Sequence, residues 1–395
     1  MKILYLQYTN PAGYPPLEHS SRILADAGWE TLFLGVGAFG AERLQFPSHK
    51  RITVKQMPAC GPGLRQKVHF VRYCLWALWW TVRWRPDWIY ASETLACPAA
   101  LTASHLGSEL LYHEHDSPGS TGTGSFFQRL CLRARTACSR RARACVLPNK
   151  TRAEVFAQQT QPKEAVNVVW NCPSSAEVGS SKDERSCAAG LRLFYHGSIV
   201  PDRLPETILH ALATFTGRVS LTVAGYETVG SKGYVKRLEE MARTLGVQEH
   251  FRYIGTIELR SGLLEACRQH DVGLSLLGGT SADINMQAMT GASNKPFDYM
   301  SCGLPLLVSD LPDWRAMFVD RGFALACQMH DPISIAAAIR QFLDDPAKTA
   351  AMGEAGRRQI LGAWNYEKQF EPVLRILQSS RNMHPAVQLD TNSNT

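Results

Sequence analysis

The sequence predicts an α/β protein of two doubly wound, Rossmann-like domains with an interdomain cleft, and three observations carry that expectation. A chain of 395 residues exceeds the roughly 250 to 300 at which single hydrophobic cores stop growing. Short β-rich runs alternate with helical patterns throughout, as in βα units whose parallel sheets are buried on both faces. The alternation restarts after a polar stretch, Cys172 to Gly190, rich in Ser, Gly, Lys, Asp and Glu, which suits an exposed linker.

In the first half, Ile3 to Tyr8, Thr31 to Val36, Trp88 to Ala91, Leu110 to His113, Ala144 to Leu147 and Asn167 to Trp170 read as strands. In the second half, Leu191 to Tyr195, Val219 to Ala224, Phe251 to Ile254, Val272 to Leu276, Pro305 to Val308 and Phe323 to Ala326 do the same. The resulting division is a first domain over 1–175, a linker over 176–190, a second domain over 191–362, a helix over 363–379 and an unstructured polar tail over 380–395. Ligands of open α/β sheets sit beyond the carboxyl ends of the strands, which makes the cleft between two such domains the place for a nucleotide.

Composition narrows the class. Hydrophobic residues at 45% and charged residues at 19% leave no room for large disordered or fibrous stretches. The 11 cysteines are odd in number and never spaced as metal or disulfide motifs, so they read as reduced core residues. No apolar run approaches the ~18 residues that span a bilayer. Met1 to Leu4 runs straight into a strand without the regions of a signal peptide, which points to the cytoplasm. The net charge of +7 is uneven: residues 1–175 hold 20 Lys and Arg against 11 Asp and Glu.

Ser293-Asn294-Lys295-Pro296-Phe297-Asp298-Tyr299-Met300-Ser301-Cys302-Gly303-Leu304-Pro305-Leu306-Leu307-Val308-Ser309-Asp310 is the most informative segment. It puts an amide, a cation and a carboxylate in the first turn of a helix, then a glycine stop and a buried strand. Backbone N–H groups at such a helix start favour phosphate, assisted by Lys295, and Asp298 one turn on can accept hydrogen bonds from a ribose diol. By spacing alone, Lys295 and Asp298 read equally well as an i, i+3 surface pair.

The stretch resembles the donor-binding signature of family 4 retaining glycosyltransferases, the glycosyl transferases group 1 of the GT-B fold. Leu193 to Ser198, Val223 to Gly225, Tyr253 to Gly255, Asp271 to Leu274 and the helical Asp331 to Phe342 and Pro346 to Ile360 continue the resemblance, so that it covers about residues 191 to 377. It implies a retaining, metal-independent hexosyltransferase with no cofactor. The first domain would bind a saccharide or lipid-linked acceptor, the second a UDP- or GDP-sugar donor, and the terminal helix would pack back on the first domain. The site implied by residue is Gly197 and Ser198 in the glycine turn, Arg203 and Lys295 on the diphosphate, Ser293 and Asn294 beside them, and Asp298 on the ribose.

Two positions depart from the family pattern. Ser198 stands where an arginine is usual, and Thr290 stands where the first of two glutamates is usual. They motivate an alternative: a catalytically degraded GT-B subunit that binds a partner or a membrane.

In the first half, Gly13 lies in Tyr8 to Pro15, where the family has a glycine loop closing over donor and acceptor; an ordinary βα turn accounts for it equally. His113-Glu114-His115-Asp116 ends a strand and leads into the Gly-rich run Ser117 to Gly124. Three readings compete: a metal cluster, a catalytic or substrate-orienting histidine, and a strand end without chemistry. The family has a histidine at this strand end, which selects His115, then His113, with Asp116 as a neighbour that orients it and no metal.

Arg65 to Arg85 is a helix with Trp76, Trp79, Trp80 and Trp84 among apolar residues and cations at its ends. It suits either an anionic membrane surface or, as the wide apolar face of a Rossmann helix favours, a buried place with solvated ends. Arg129, Arg133, Arg140, Arg141 and Arg143 make a second, basic helix. No nucleic-acid motif accompanies this charge. Many members of the family this chain resembles act on lipid-linked acceptors, so the resemblance implies acidic phospholipid or a lipid diphosphate as the partner, in cell-surface polysaccharide or glycolipid synthesis peripheral to the membrane.

Overall fold

The computed structural model describes residues 1–119, 125–180, 190–279 and 281–379. The part of the expected linker over 181–189, the end of the Gly-rich run over 120–124 and the tail over 380–395 lie outside the described residues.

The first sheet has strands β1 (Lys2–Gln7), β2 (Glu30–Val36), β3 (Ile52–Met57), β4 (Trp88–Ser92), β5 (Glu109–His113), β6 (Ala144–Leu147) and β7 (Val166–Val168). All pair in parallel, in the order β3-β2-β1-β4-β5-β6-β7. Its helices are α1 (Pro15–Asp26), α2 (Leu64–Trp84), α3 (Cys97–Ser104), α4 (Phe126–Arg141) and α5 (Lys150–Thr160). The second sheet, β8 (Leu191–Ile199), β9 (Val219–Glu227), β10 (Phe251–Tyr253), β11 (Val272–Ser275), β12 (Leu306–Ser309) and β13 (Ala324–Cys327), is also parallel, in the order β10-β9-β8-β11-β12-β13. Helices α6 (Thr207–Ala213), α7 (Tyr234–Thr244), α8 (Arg260–Arg268), α9 (Ile284–Gln287), α10 (Asn294–Ser301), α11 (Pro312–Trp314), α12 (Pro332–Asp344) and α13 (Pro346–Gly362) accompany it, and α14 (Tyr366–Ser379) ends the described chain.

Alternation along β1 supplies two cores at once. Leu4 and Leu6 face one side with Tyr73 and Ala77 of α2, Ala100 of α3 and Cys138 of α4. Ile3 and Tyr5 face the other with Leu17 and Leu24 of α1 and with Tyr366, Phe370, Val373 and Leu377 of α14, so the last helix returns to the first sheet.

Two sequence expectations are corrected. Strand β3 went unread because Ile-Thr-Val-Lys-Gln-Met alternates with polar residues and lies at the sheet edge, half-exposed. The polar stretch at 172–180 is not exposed throughout: Cys172 is fully buried and Ser174 nearly so. There Ser174 and Glu177 form a reciprocal capping box, and Glu367 of α14 accepts from the Ser174 hydroxyl at 2.5 Å.

Candidate functional site

Both sheets present their carboxyl-terminal strand ends to one cleft of about 430 Å³. On the second domain's side its wall begins where β8 meets β9. The expected glycine turn is not a turn: Gly197 and Ser198 lie inside β8, in register with Gly225 and Tyr226 of β9. Gly225, at φ 144°, comes so close that a Cβ would lie 1.9 Å from the Gly197 carbonyl oxygen, so only glycine fits. A Cβ on Gly197 would in turn meet Lys295 Cε at 3.2 Å, which puts the Lys295 side chain directly over this strand end.

Lys295 stands in the first turn of α10 and its ammonium lies 5.4 Å from the Tyr195 ring centroid. Burial, then the nearby Arg203, brings its pKa down to about 7. Arg203 donates from Nη1 to the Ser198 hydroxyl at 2.9 Å. Gly197, Ser198, Arg203, Ser293, Asn294 and Lys295 all line the cleft, and the Asn294 Oδ1 is buried without a partner.

Asp298, one turn further, also lines the cleft and is almost wholly buried. Its carboxylate is already engaged: Arg260 donates to it at 2.6 and 3.3 Å, and His196 Nε2 lies 3.5 Å away. The other edge of the Arg260 guanidinium meets Glu177 at 2.6 and 3.1 Å, and Glu177 reaches His19 of α1 at 2.9 Å. Burial works against the charged form of Glu177, yet Arg260 and His19 hold its carboxyl well below the usual carboxylate range. A chain of charges thus runs from the first domain's α1 to the carboxylate assigned to the ribose. Sequence reading missed Arg260 and Glu177. Arg260 opens α8, seven residues after β10, and Glu177 lies in a polar stretch, so neither position carried a signal.

On the first domain's side, Asn10 shapes the loop after β1. Its amide donates to the carbonyls of Ala41 and Leu44 at 2.9 and 3.2 Å, while Oδ1 accepts from Ala12 N–H and Gln56 at 3.0 Å each. Gly13 lines the cleft in this loop, and the Tyr14 ring lies 5.1 Å from that of His115.

His115 is held from three directions. Glu93 Oε1 accepts from the backbone N–H groups of His115 and Asp116 at 3.0 Å each, Arg152 donates to the His115 carbonyl at 2.7 Å, and Nε2 is 3.2 Å from the Ser92 hydroxyl. Burial, then Arg152, pushes the imidazole down to about 3, so the ring is neutral at ordinary pH, with Nδ1 buried and unpaired. Glu93 adopts φ 72° and ψ 161°, a costly conformation for a residue with a Cβ, at the position that anchors this loop.

Two expected roles change. His113 does not line the cleft: it is wholly buried, pairs through Nδ1 with the Tyr90 hydroxyl, and lies beneath His115 with ring centroids 3.9 Å apart. Asp116 lines the cleft, but its carboxylate turns to Arg152 at 3.6 Å, and Ser92, Glu93 and Arg152 do the orienting instead. Both His115 and Asp116 lie in a bend past the end of β5, where the Arg152 guanidinium draws the Asp116 carboxylate to itself. Among the described residues no group of three or more His, Cys, Asp or Glu side chains is placed to hold a metal ion.

Thr290 does not line the cleft; its hydroxyl donates to the carboxylate of Asp313, at the start of α11. Close by, Arg152 ties the domains together. It donates to the carbonyls of Ala288 and Asn285 at 2.9 and 2.7 Å, Asn149 donates to the Ala288 carbonyl at 2.7 Å, and Asn285 exchanges two hydrogen bonds with the Ser117 backbone. Replacing Arg152 by methionine takes the donor from the carbonyls of His115 and Asn285, while Ala288 keeps Asn149, and a loss of about 3 kcal/mol is expected in chemical denaturation. An unchanged unfolding midpoint would show that the seam does not depend on it.

Residues 189–359 match the family described as glycosyl transferases group 1. The GDP-mannose-dependent alpha-(1-6)-phosphatidylinositol monomannoside mannosyltransferase of Mycolicibacterium smegmatis is 26% identical over 197 residues, covering 48% of this chain and 48% of that protein. The chain therefore spans about half the length of this curated relative. Among solved structures, Anabaena HepE in complex with UDP superposes with a TM-score of 0.69 at 19% identity, covering 96% of this chain and 100% of that one. Sucrose-phosphate synthase from Thermosynechococcus elongatus gives 0.71 at 14%, covering 97% and 100%. WaaG, a glycosyltransferase involved in lipopolysaccharide biosynthesis, gives 0.65 at 14%, covering 95% and 99%. The two parallel Rossmann-like domains take the GT-B arrangement of these structures, and within the chain residues 189–359, most of the second domain, are similar to the glycosyl transferases group 1.

Proposed function

We propose that the protein is a retaining glycosyltransferase that moves a hexosyl unit from a UDP- or GDP-sugar to a saccharide or lipid-linked acceptor, with no cofactor or bound metal. The reaction belongs to cell-surface polysaccharide or glycolipid synthesis, peripheral to the cytoplasmic face of a membrane. The observation that carries this reading is the convergence of Arg203, Lys295 and the amino-terminal end of α10 on the strand end at Gly197, across the cleft from His115. Two cations and the start of a helix without a side-chain cap suit a diphosphate. The neutral imidazole suits a hydrogen bond to a sugar or acceptor hydroxyl rather than proton donation as imidazolium.

A thermal-shift series with UDP, GDP, ADP and their sugars tests the donor site. One nucleotide should stabilise the protein by about 2.7 kcal/mol at a hundred times its Kd, and no response to any would defeat the assignment. His115→Ala is expected to lower turnover by about 10²-fold while nucleotide affinity stays unchanged. The Thr290 and Ser198 departures favour a second reading, the degraded subunit; nucleotide binding without acceptor-dependent release of free nucleotide would establish it.

A further inference from the structure

Helix α2 has two apolar faces, and the fold uses one of them. Phe70, Tyr73, Ala77 and Thr81 are buried, and Trp76, Trp80 and Trp84 pack against the same core. On the opposite side Leu64, Val68, Val71, Leu75, Trp79 and Val82 recur at spacings of four, three, four, four and three residues, a straight stripe along the helix. Each is between 56% and 76% exposed, so the stripe is uncovered along the helix's whole length.

Its borders are cationic. Arg65, Lys67, Arg72 and Arg83 are exposed along α2, which contains no Asp or Glu. Among the described residues no helix is long and apolar enough to cross a membrane.

A second protein would have to match a long, acid-free, cation-edged apolar stripe. An anionic bilayer meets both parts at once, taking the apolar residues at the acyl boundary and the cations at its phosphates. We propose that the outer face of α2 is the surface on which the protein lies in the interface of an anionic phospholipid membrane. This gives the membrane association of the preceding section a definite face. The amino-terminal end of α2 also reaches the cleft's edge: His69 Nδ1 lies 3.0 Å from the hydroxyl of Tyr8, whose chain neighbours Thr9 and Asn10 line the cleft.

The test is co-sedimentation with vesicles of phosphatidylcholine, alone or with roughly a third phosphatidylglycerol, with nucleotide binding measured in parallel as the readout of an intact donor site. The wild type should bind the anionic vesicles and lose affinity with salt. Arg65→Glu with Arg72→Glu should weaken binding by at least about 25-fold, taking roughly fivefold per cation. Leu75→Asp with Trp79→Asp should abolish binding while the nucleotide response persists. No binding of the wild type to anionic vesicles at low salt overturns the proposal, as does binding that survives the stripe substitutions. A wild-type dimer that the stripe substitutions convert to monomer, without vesicle binding in either, overturns it in favour of a second copy of the chain. None of these outcomes depends on donor turnover, so a failed transferase assay and a failed docking face remain distinguishable.

Discussion

Replacing both Arg203 and Lys295 by alanine is expected to weaken nucleoside diphosphate binding by at least about a hundredfold, because each removes a charge-assisted contact worth roughly 1.5 to 3 kcal/mol. Lys295 adds a pH signature. In the empty cleft burial and Arg203 hold its pKa down to about 7, and a bound diphosphate favours the charged form and raises it. Nucleotide affinity should therefore be level below pH 7 and fall above it, by up to about tenfold per pH unit until the raised pKa of the complex is reached. Lys295→Arg keeps its charge throughout and should flatten the profile while retaining most of the affinity. Isothermal titration between pH 6 and 9 checks both, the range chosen to bracket the lowered Lys295 value of about 7. Unchanged binding by the double alanine variant would remove the phosphate assignment.

A steep loss of stability in mild acid is the second large effect expected. His113, His115 and His196 are all buried, and burial lowers the pKa of each: well below the ordinary imidazole value for His113 and His196, and to about 3 for His115. In the unfolded chain each titrates near 6.5, so below that pH the unfolded state takes up protons that the folded state refuses. The stability these neutral rings leave intact is fully present above about pH 6.5 and is lost as the pH falls below it. Each group contributes up to about 1.4 kcal/mol per pH unit, and three together approach about 4 kcal/mol per unit. Urea denaturation from pH 8 to 5 measures the slope, and His113→Gln should reduce it by up to about a third. Equal stability at pH 7 and pH 5.5 would mean that the rings gain solvent or partners when charged.

The histidines also show where sequence reasoning met its boundary. His113 and His115 sit two residues apart at a strand end, and alternation puts both on one face. Which of them reaches the cleft depends on the Tyr90 hydroxyl, one strand over, which takes Nδ1 of His113, and on Ser92, Glu93 and Arg152, which fix His115. Glu93 directly follows β4, where site residues gather, but a lone charged side chain at such a position has many uses. Asp298 was legible as a cleft carboxylate, whereas its clasp by Arg260 and Glu177 joins positions up to 121 residues apart.

Two parallel doubly wound domains and a cation at the start of α10 were determined by the chain itself. Periodicity, turn chemistry and the βα order are local properties, and they survive any arrangement of the rest. The tertiary structure decided which groups face one another across the cleft. It also decided that the polar stretch at 172–180 packs rather than swings free, and that α2 has an apolar stripe to spare. A wide apolar face looks the same in sequence whether the sheet covers all of it or only part. The sheet covers Phe70, Tyr73, Ala77 and Thr81 and leaves Leu64 through Val82 to water, because a helix laid on a sheet can bury only the side turned towards it.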